Sequence, residues 1–381
     1  MSFFGTIFAI MQNTLIFKNI GVRTMERIAK LLSILQEHNL DGMLLVKDAN
    51  LRYLSGFTGS ESYAVISKKG RAFITDYRYT EQAEQECPGF EIIKWRSPNC
   101  DLPEAIKSVC NRFDIKRLGF EKDCVSFSLY ERLKNGLNDV DLVGTTGLIE
   151  NLRSVKEKAE IEFIKKAAEI TDKAFEEILN FIKPGVTEKD IERELAYLIR
   201  KKGADDIGFP IIVASGENSS KPHAIPSNRP VRVGDLITID VGSMYNGYKS
   251  DMTRTVVLGK ASDKQIKIYN AVKKSQEAAI SIIKAGVEGK LVDKLSKDVL
   301  KEEGMEGIFE YGLGHGVGLE IHEEPSMSSR SLSTLEEGSV VTVEPGIYLP
   351  GWGGVRIEDT VVVTIDGCEI ITRSPKQLIE I

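Results

Sequence analysis

Two stretches of this chain, 101 residues apart, carry the same pattern: Lys183-Pro184-Gly185-Val186 recurs as Lys284-Ala285-Gly286-Val287. Downstream, Ile191 is matched by Val292, Leu198 by Val299, Ile199 by Leu300 and Gly203 by Gly304. Each copy reads as a turn, a helix and a glycine at the helix end, where left-handed backbone is wanted. Such a repeat constrains this part of the chain to two related halves meeting about a pseudo-twofold axis. It also sorts the chemistry. Asp240 and Asp251 follow the first copy, whereas His315, Glu344 and Glu358 follow the second.

A helix precedes the first copy. Ser154 with Glu157 three residues on reads as a capping box. Ile161, Ile164, Ala168, Phe175, Ile178 and Ile182 then follow at helical spacing as a core-facing stripe. Further upstream, helix and strand signals alternate: a helix over 26–38, a strand over 41–46, and a hairpin of 63–66 and 71–75 around Lys68-Lys69-Gly70. A strand near 90–95, a helix near 102–113, a strand over 117–120, a helix near 126–137 and a strand over 141–144 complete the series. The alternation predicts a small α/β domain over 25–148, followed by an α+β catalytic domain over 149–381.

Residues 1–24 stand apart. Phe3 to Phe17 is largely apolar, yet no basic residue precedes Lys18, which argues against a secretory signal, and the run is short for a membrane span. We expect this stretch to be a loose extension, or the functional start to be Met25, where an amphipathic helix opens. A weak membrane anchor is the lesser alternative.

The acids and histidines of the second domain point to chemistry. Leu236-Ile237-Thr238-Ile239-Asp240-Val241 is a β-branched strand, and strands avoid aspartate. Asn246-Gly247 signals a hairpin turn, which sets Asp251 on the return strand close to opposite Asp240. Two carboxylates so placed repel unless a cation or proton lies between them. Glu344 and Glu358 repeat the theme, each flanked by apolar residues and joined by a connection rich in glycine and proline. His315 lies among Gly312, Gly314, Gly316 and Gly318. That run is not GxGxxG, so a phosphate cradle is disfavoured; the glycines instead let backbone pack closely around the imidazole. Nor is His322-Glu323-Glu324-Pro325 an HExxH zinc motif, since Ser326 takes the second histidine's place. Asp240, Asp251, His315, Glu344 and Glu358 thus offer four carboxylates and one imidazole. That set suits two divalent ions, with Mn²⁺ expected first and Co²⁺, Zn²⁺ or Fe²⁺ as alternatives. From the residues alone, His223 and His322 read as packed neutral histidines, and His38 as a surface residue at a helix end.

Composition excludes some partners. With 381 residues, 42% hydrophobic and 28% charged, the chain is an ordinary globular one. A net charge of −6 argues against nucleic acid or an anionic membrane as partner. Five cysteines without CxxC spacing read as free thiols in a reducing cytoplasm.

These residues resemble the signature of the pita-bread metallopeptidases, in the proline-directed branch of Xaa-Pro aminopeptidase (aminopeptidase P) and Xaa-Pro dipeptidase (prolidase). The resemblance runs from about Met25 to Ile381 and is carried by 213–223, 240–255, 312–325 and 343–359. Arg52 to Gly59 is similar to the branch's smaller, creatinase-like domain. The resemblance implies a dinuclear site with Asp240, Asp251, His315, Glu344 and Glu358 as ligands, Asp251 and Glu358 bridging. It makes Glu344 the general base, and gives His223, His322 and Arg356 the work of positioning substrate and stabilising the intermediate. It implies supporting roles for Thr253 and Tyr248, short peptides with proline at position two as substrates, and a homodimer whose small domain helps shape the partner's pocket. Tyr311 departs from the pattern, standing where some longer aminopeptidase P chains carry a histidine. Three rivals remain on the same fold: a metal-free creatinase-like hydrolase, a methionine aminopeptidase, and a non-catalytic binding module. The first and third lose ligands that stand here, and the second usually lacks the front domain.

Overall fold

The computed structural model describes residues 23–96, 100–305 and 311–381. The expectation for the N-terminal extension lies, over residues 1–22, outside the described residues. The chain divides into two compact units, one ending at Leu152 and the other beginning at Arg153.

The first unit is a six-stranded mixed sheet in the order Glu91–Lys94, Gly70–Thr75, Tyr63–Ser67, Gly42–Leu45, Arg117–Glu121, Asp141–Thr145. Gly42–Leu45 is buried throughout, as a central strand covered on both faces must be. Leu102–Phe113 packs Ile106, Val109 and Cys110 against Leu44, Val65 and Leu118. Asp101 caps that helix by accepting from Glu104 N at 2.9 Å, and Glu104 returns the bond at 3.0 Å. The first helix already includes residues 23 and 24, so Met25 does not open it. Arg27 from that helix donates to the Tyr53 carbonyl at 3.1 Å. Two short helices, Asp48–Ser55 and Thr80–Glu86, escape the sequence reading because neither has a side-chain cap. The Arg52-to-Gly59 motif begins in the first of them, where Gly56 at φ 85° closes the helix.

In the second unit the two copies of the repeat match in detail. The repeated helices are Glu188–Lys201 and Gly289–Glu302. Gly185 and Gly286, at φ 93° and 87°, make the two turns. Gly185 N donates to Val231 O and Val231 N to Val186 O; Gly286 N donates to Leu335 O and Leu335 N to Val287 O. Gly203 and Gly304 end the helices at φ 97° and 76°. Each half adds a longer helix, Lys158–Ile178 or Asp263–Ser281, and a sheet, antiparallel except for the parallel edge strand Ile379–Glu380 of the first. The first sheet runs Ile379–Glu380, Met252–Val257, Leu236–Val241, Ile212–Ser215. The second runs Glu323–Met327, Gly314–Gly316, Val340–Val343, Asp359–Val363, Cys368–Ile370.

One helix start differs from expectation. Ser154 closes the short helix Leu148–Ser154 rather than opening the next. Val155 forms a bridge with Ser339, and Lys156 N donates to Gly338 O at 3.0 Å. This long-range pairing holds the two residues extended, so the helix begins at Lys158 with Glu157 N donating to Glu160 Oε2 at 2.8 Å. Among the described residues, no helix is long and apolar enough to cross a membrane.

Candidate active site

Asp240 lies near the end of Leu236–Val241, where an otherwise apolar strand reaches the edge of the core. The Asn246-Gly247 turn, with φ 49° and 79°, pairs Tyr245 with Tyr248, and the same count carries into the main sheet. There the residue opposite Asp240 is Thr253, not Asp251. Asp251 sits two residues before Thr253, so it keeps the same face and meets Asp240 diagonally. The expected direct pairing is corrected by this register; the expected proximity stands. In the second half Val343 pairs with Asp359, which places Glu344 and Glu358 across from one another at the mouth of the ladder.

His315 projects from Gly314–Gly316. A Cβ at Gly314 would overlap the Thr342 carbonyl, and one at Gly316 the Glu324 carbonyl. Glycine is therefore a steric requirement on both sides of the imidazole. His315 Nδ1 lies 3.0 Å from Gly316 O and donates to it, which turns Nε2 toward the carboxylates. Nε2 is 3.2 Å from Glu344 Oε1 and 3.7 Å from Asp251 Oδ2. Carboxylate oxygens of Asp240, Asp251 and Glu358 lie within 4.8 Å of one another. The structure thus brings all five residues into one cluster.

Electrostatics make this cluster unstable as a set of bare charges. Burial and the neighbouring Glu358, Asp240 and Glu344 hold the Asp251 carboxyl well above its usual range. Burial, Glu344 and Asp240 do the same to Glu358. Asp240 is raised by burial against the pull of Arg356. Burial acts on Glu344 in the same sense, but the His315 hydrogen bond and charge, the Arg356 charge and the Thr342 hydrogen bond together outweigh it and leave Glu344 below the usual range. His315 is raised because Glu344 overcomes the effect of burial.

The consequence for stability has a definite sign. A carboxyl whose folded pKa is raised contributes stability below its unfolded pKa, and that contribution is lost as pH rises through the folded value. Chelated protein should therefore melt at lower temperature as pH rises above the usual carboxylate range, and saturating divalent metal should flatten the profile. Asp251→Asn should flatten it without metal. A level profile in the chelated wild type, read by calorimetry, would remove the basis for this electrostatic description.

A cavity of about 560 Å³ opens over the cluster. Phe209, Ile225, Tyr311 and Ile321 give it apolar walls, and His223, His322 and Arg356 line it as the sequence predicts. His223 and His322 come from equivalent loops of the two halves. The His322 ring stands edge-on to His315 with centroids 4.4 Å apart. Burial and His315 lower the pKa of His322, so a neutral ring faces the cavity near neutral pH.

Arg356 is more committed than expected. Its Nη2 donates to Asp240 Oδ2 at 2.7 Å, Nε to Thr253 Oγ1 at 3.0 Å, and Nη1 to Tyr348 OH at 2.6 Å and Pro222 O at 3.3 Å. Thr253 in turn donates to Glu358 Oε2 at 2.6 Å. The supporting position expected of Tyr248 is corrected: its hydroxyl donates to Glu160 Oε1 at 2.7 Å, since its own strand leaves with the small sheet formed by 206–207, 243–245 and 248–249. Tyr348 and Thr342 escape the sequence reading. Thr342 Oγ1 accepts from His315 N and donates to Glu344 Oε1, each at 3.1 Å. Both share the odd-even alternation of Glu344, which is the available signal.

The cluster also fits divalent metal on an observation of its own. Asp240 Oδ1 and Glu358 Oε1 are buried and have no hydrogen-bond partner among the described residues. Buried carboxylate oxygens left without donors are costly. An oxygen-rich set with one imidazole suits hard or borderline divalent cations.

Paired acids from two like halves, on the floor of an apolar-walled cavity, define a metallopeptidase of pseudo-twofold architecture. The profile of metallopeptidase family M24 matches residues 162–365, and that of the creatinase/prolidase N-terminal domain matches residues 27–155. An Xaa-Pro dipeptidase of Pyrococcus furiosus is 36% identical over 93% of this chain and 99% of its own. A solved Xaa-Pro dipeptidase from Bacillus anthracis superposes with a TM-score of 0.90 at 44% identity, covering 94% of this chain and all of that one. A solved X-Pro aminopeptidase from Thermotoga maritima superposes at 0.87 and 41% identity, covering 93% of this chain and 99% of that one. The chain belongs to metallopeptidase family M24, with the pita-bread catalytic fold and a creatinase-like N-terminal domain.

Proposed function

We propose that this protein is a dinuclear-metal peptidase that hydrolyses the bond between an N-terminal residue and a following proline. The convergence of Asp240, Asp251, His315, Glu344 and Glu358 beneath the cavity carries this reading. The relatives' names supply the proline preference, and proline's ring and tertiary amide set such bonds apart from ordinary ones. Those five residues would hold the metals; Mn²⁺ is the first choice, with Co²⁺, Zn²⁺ and Fe²⁺ as alternatives. Bound divalent ions would polarise the scissile carbonyl and lower the pKa of the attacking water.

The chain's own residues do the rest. Glu344 takes the proton of the attacking water. His322 and His223 donate hydrogen bonds to the substrate and to the oxyanion as the carbonyl carbon becomes tetrahedral. Arg356 holds Asp240 and the Tyr348 hydroxyl in place. The apolar walls receive the proline ring and exclude water. A homodimer in the cytoplasm, with neither nucleic acid nor membrane as partner, completes the proposal; five free cysteines support the reducing compartment.

Hydrolysis of Ala-Pro beside Ala-Pro-Ala, in Mn²⁺ and again after chelation, tests the proposal. Chelator-sensitive cleavage of the dipeptide alone assigns a prolidase; equal or better cleavage of the tripeptide assigns an aminopeptidase P. Cleavage of neither with metal restored would overturn the proposal in favour of a binding module. His322→Ala should retain full metal content and slow turnover by roughly a hundredfold. Unchanged turnover in that variant would confine His322 to packing.

A further inference from the structure

Glu188 is a carboxylate fully buried in the second unit, and nothing in the proposed mechanism uses it. Its position, the first residue of a helix, has an ordinary explanation, since an acid there complements the helix dipole. That role needs no burial and leaves the oxygens to water. Here every hydrogen bond to the carboxylate comes from another segment. Oε1 accepts from Ser215 N and Ser215 Oγ, both at 2.7 Å. Oε2 accepts from Ser227 N at 2.9 Å and Ser227 Oγ at 2.6 Å. Asn218 Nδ2 lies 3.2 Å from both oxygens.

Ser215 and Ser227 are the two ends of the loop that carries His223. One buried anion therefore closes the base of that loop, and Asn218 ties its first turn to the same point. The far side of the loop is fixed to the cavity wall: Gly354 N donates to Ser219 Oγ at 2.8 Å, and Arg356 Nη1 donates to Pro222 O. The other half has no acid at the matching helix position. Gly289 takes the place of Glu188 there, and a Cβ at Gly289 would overlap the Ser326 carbonyl. The loop carrying His322 is closed instead by the antiparallel pairing of Gly316 with Glu323.

We propose that Glu188 is a positioning residue that sets the place of His223 over the cavity by clamping both ends of its loop. This rests on the substrate role given to His223 above. Glu188→Gln is the test, because it keeps the shape and turns one acceptor into a donor facing serine N–H groups. Hydrogen–deuterium exchange should show faster exchange across 216–227 at unchanged metal content. Turnover should fall by about tenfold to a hundredfold, with the same split between kcat and KM as His223→Ala, since small misplacements of catalytic groups cost that much. Added to His223→Ala, Glu188→Gln should cost less than about twofold more. Ser227→Ala, which spares the helix, should give a weaker form of each effect and serves if Glu188→Gln fails to fold. Unchanged exchange in the loop, or equal losses of turnover with and without His223, would overturn the proposal. Faster exchange while His223→Ala is fully active would keep the clamp and sink the reading of His223 as a catalytic group, which separates the two failures.

Discussion

Asp251→Ala is expected to lose tightly bound metal and to lower turnover by roughly a thousandfold or more, because water activation and carbonyl polarisation both leave with the ions. Asp251 is chosen because its neighbours on three sides are acids. Glu358, Asp240 and Glu344 all raise its pKa, and only a cation or a proton relieves that repulsion. The variant removes one charge from the group and leaves the strand ladder intact, since Asp251 precedes Met252–Val257. Two measurements then separate a lost site from a lost fold. Metal content by atomic emission should fall well below that of the wild type. The chelated variant should melt at or above the chelated wild type, because a like-charge contact has gone. Full metal occupancy with retained turnover would refute the assignment of this cluster as the catalytic centre.

The parts of the fold legible in the sequence are those set by local rules. Gly185 and Gly286 mark turns because only glycine enters left-handed backbone freely, and the structure repeats them bond for bond. Asp240 stands out because an acid inside a β-branched run is locally unfavourable. His315 stands out because the glycines beside it answer to the Thr342 and Glu324 carbonyls. The errors share a different cause, which is long-range pairing. Ser154 has the local pattern of a helix cap, but bridging of Val155 to Ser339 overrides it. Tyr248 and Tyr348 are alike in composition, and only the departure of one strand into a separate sheet decides which reaches Arg356. Thr342 and Thr253, which orient Glu344 and Glu358, are ordinary strand residues until the register shows what lies beside them. Glu188 has the local excuse of a helix first turn.

Outside the acid cluster, Asp359→Ala is expected to be strongly destabilising. Asp359 is fully buried, and Arg254 opposite it is 1% exposed. Arg254 Nη2 donates to Asp359 Oδ1 at 2.8 Å. Lys376 Nζ, Gln276 Nε2 and Thr372 Oγ1 supply further donors at 2.7, 2.8 and 2.9 Å. Arg254 belongs to the first sheet and Asp359 to the second, so the pair crosses the junction of the two halves. Alanine would leave a buried guanidinium and an ammonium facing no anion. Removing one partner of a buried pair costs about 3–5 kcal/mol, or roughly 10 °C in melting temperature for a unit of this size. Asp359→Asn should cost less, because it keeps an acceptor for Arg254. The wild-type contribution also has a pH signature. Burial opposes ionisation, but Arg254 and Lys376 outweigh it and hold the Asp359 carboxyl below the usual carboxylate range. The stabilisation is thus fully present above the unfolded pKa and is lost as pH falls through the folded one. This is opposite in sign to the dependence expected of Asp251 and Glu358 in chelated protein. Melting of metal-free wild type and Asp359→Asn across acidic pH separates the two: the two proteins should converge as Asp359 takes its proton, and a constant gap would place the pair's contribution in packing rather than charge.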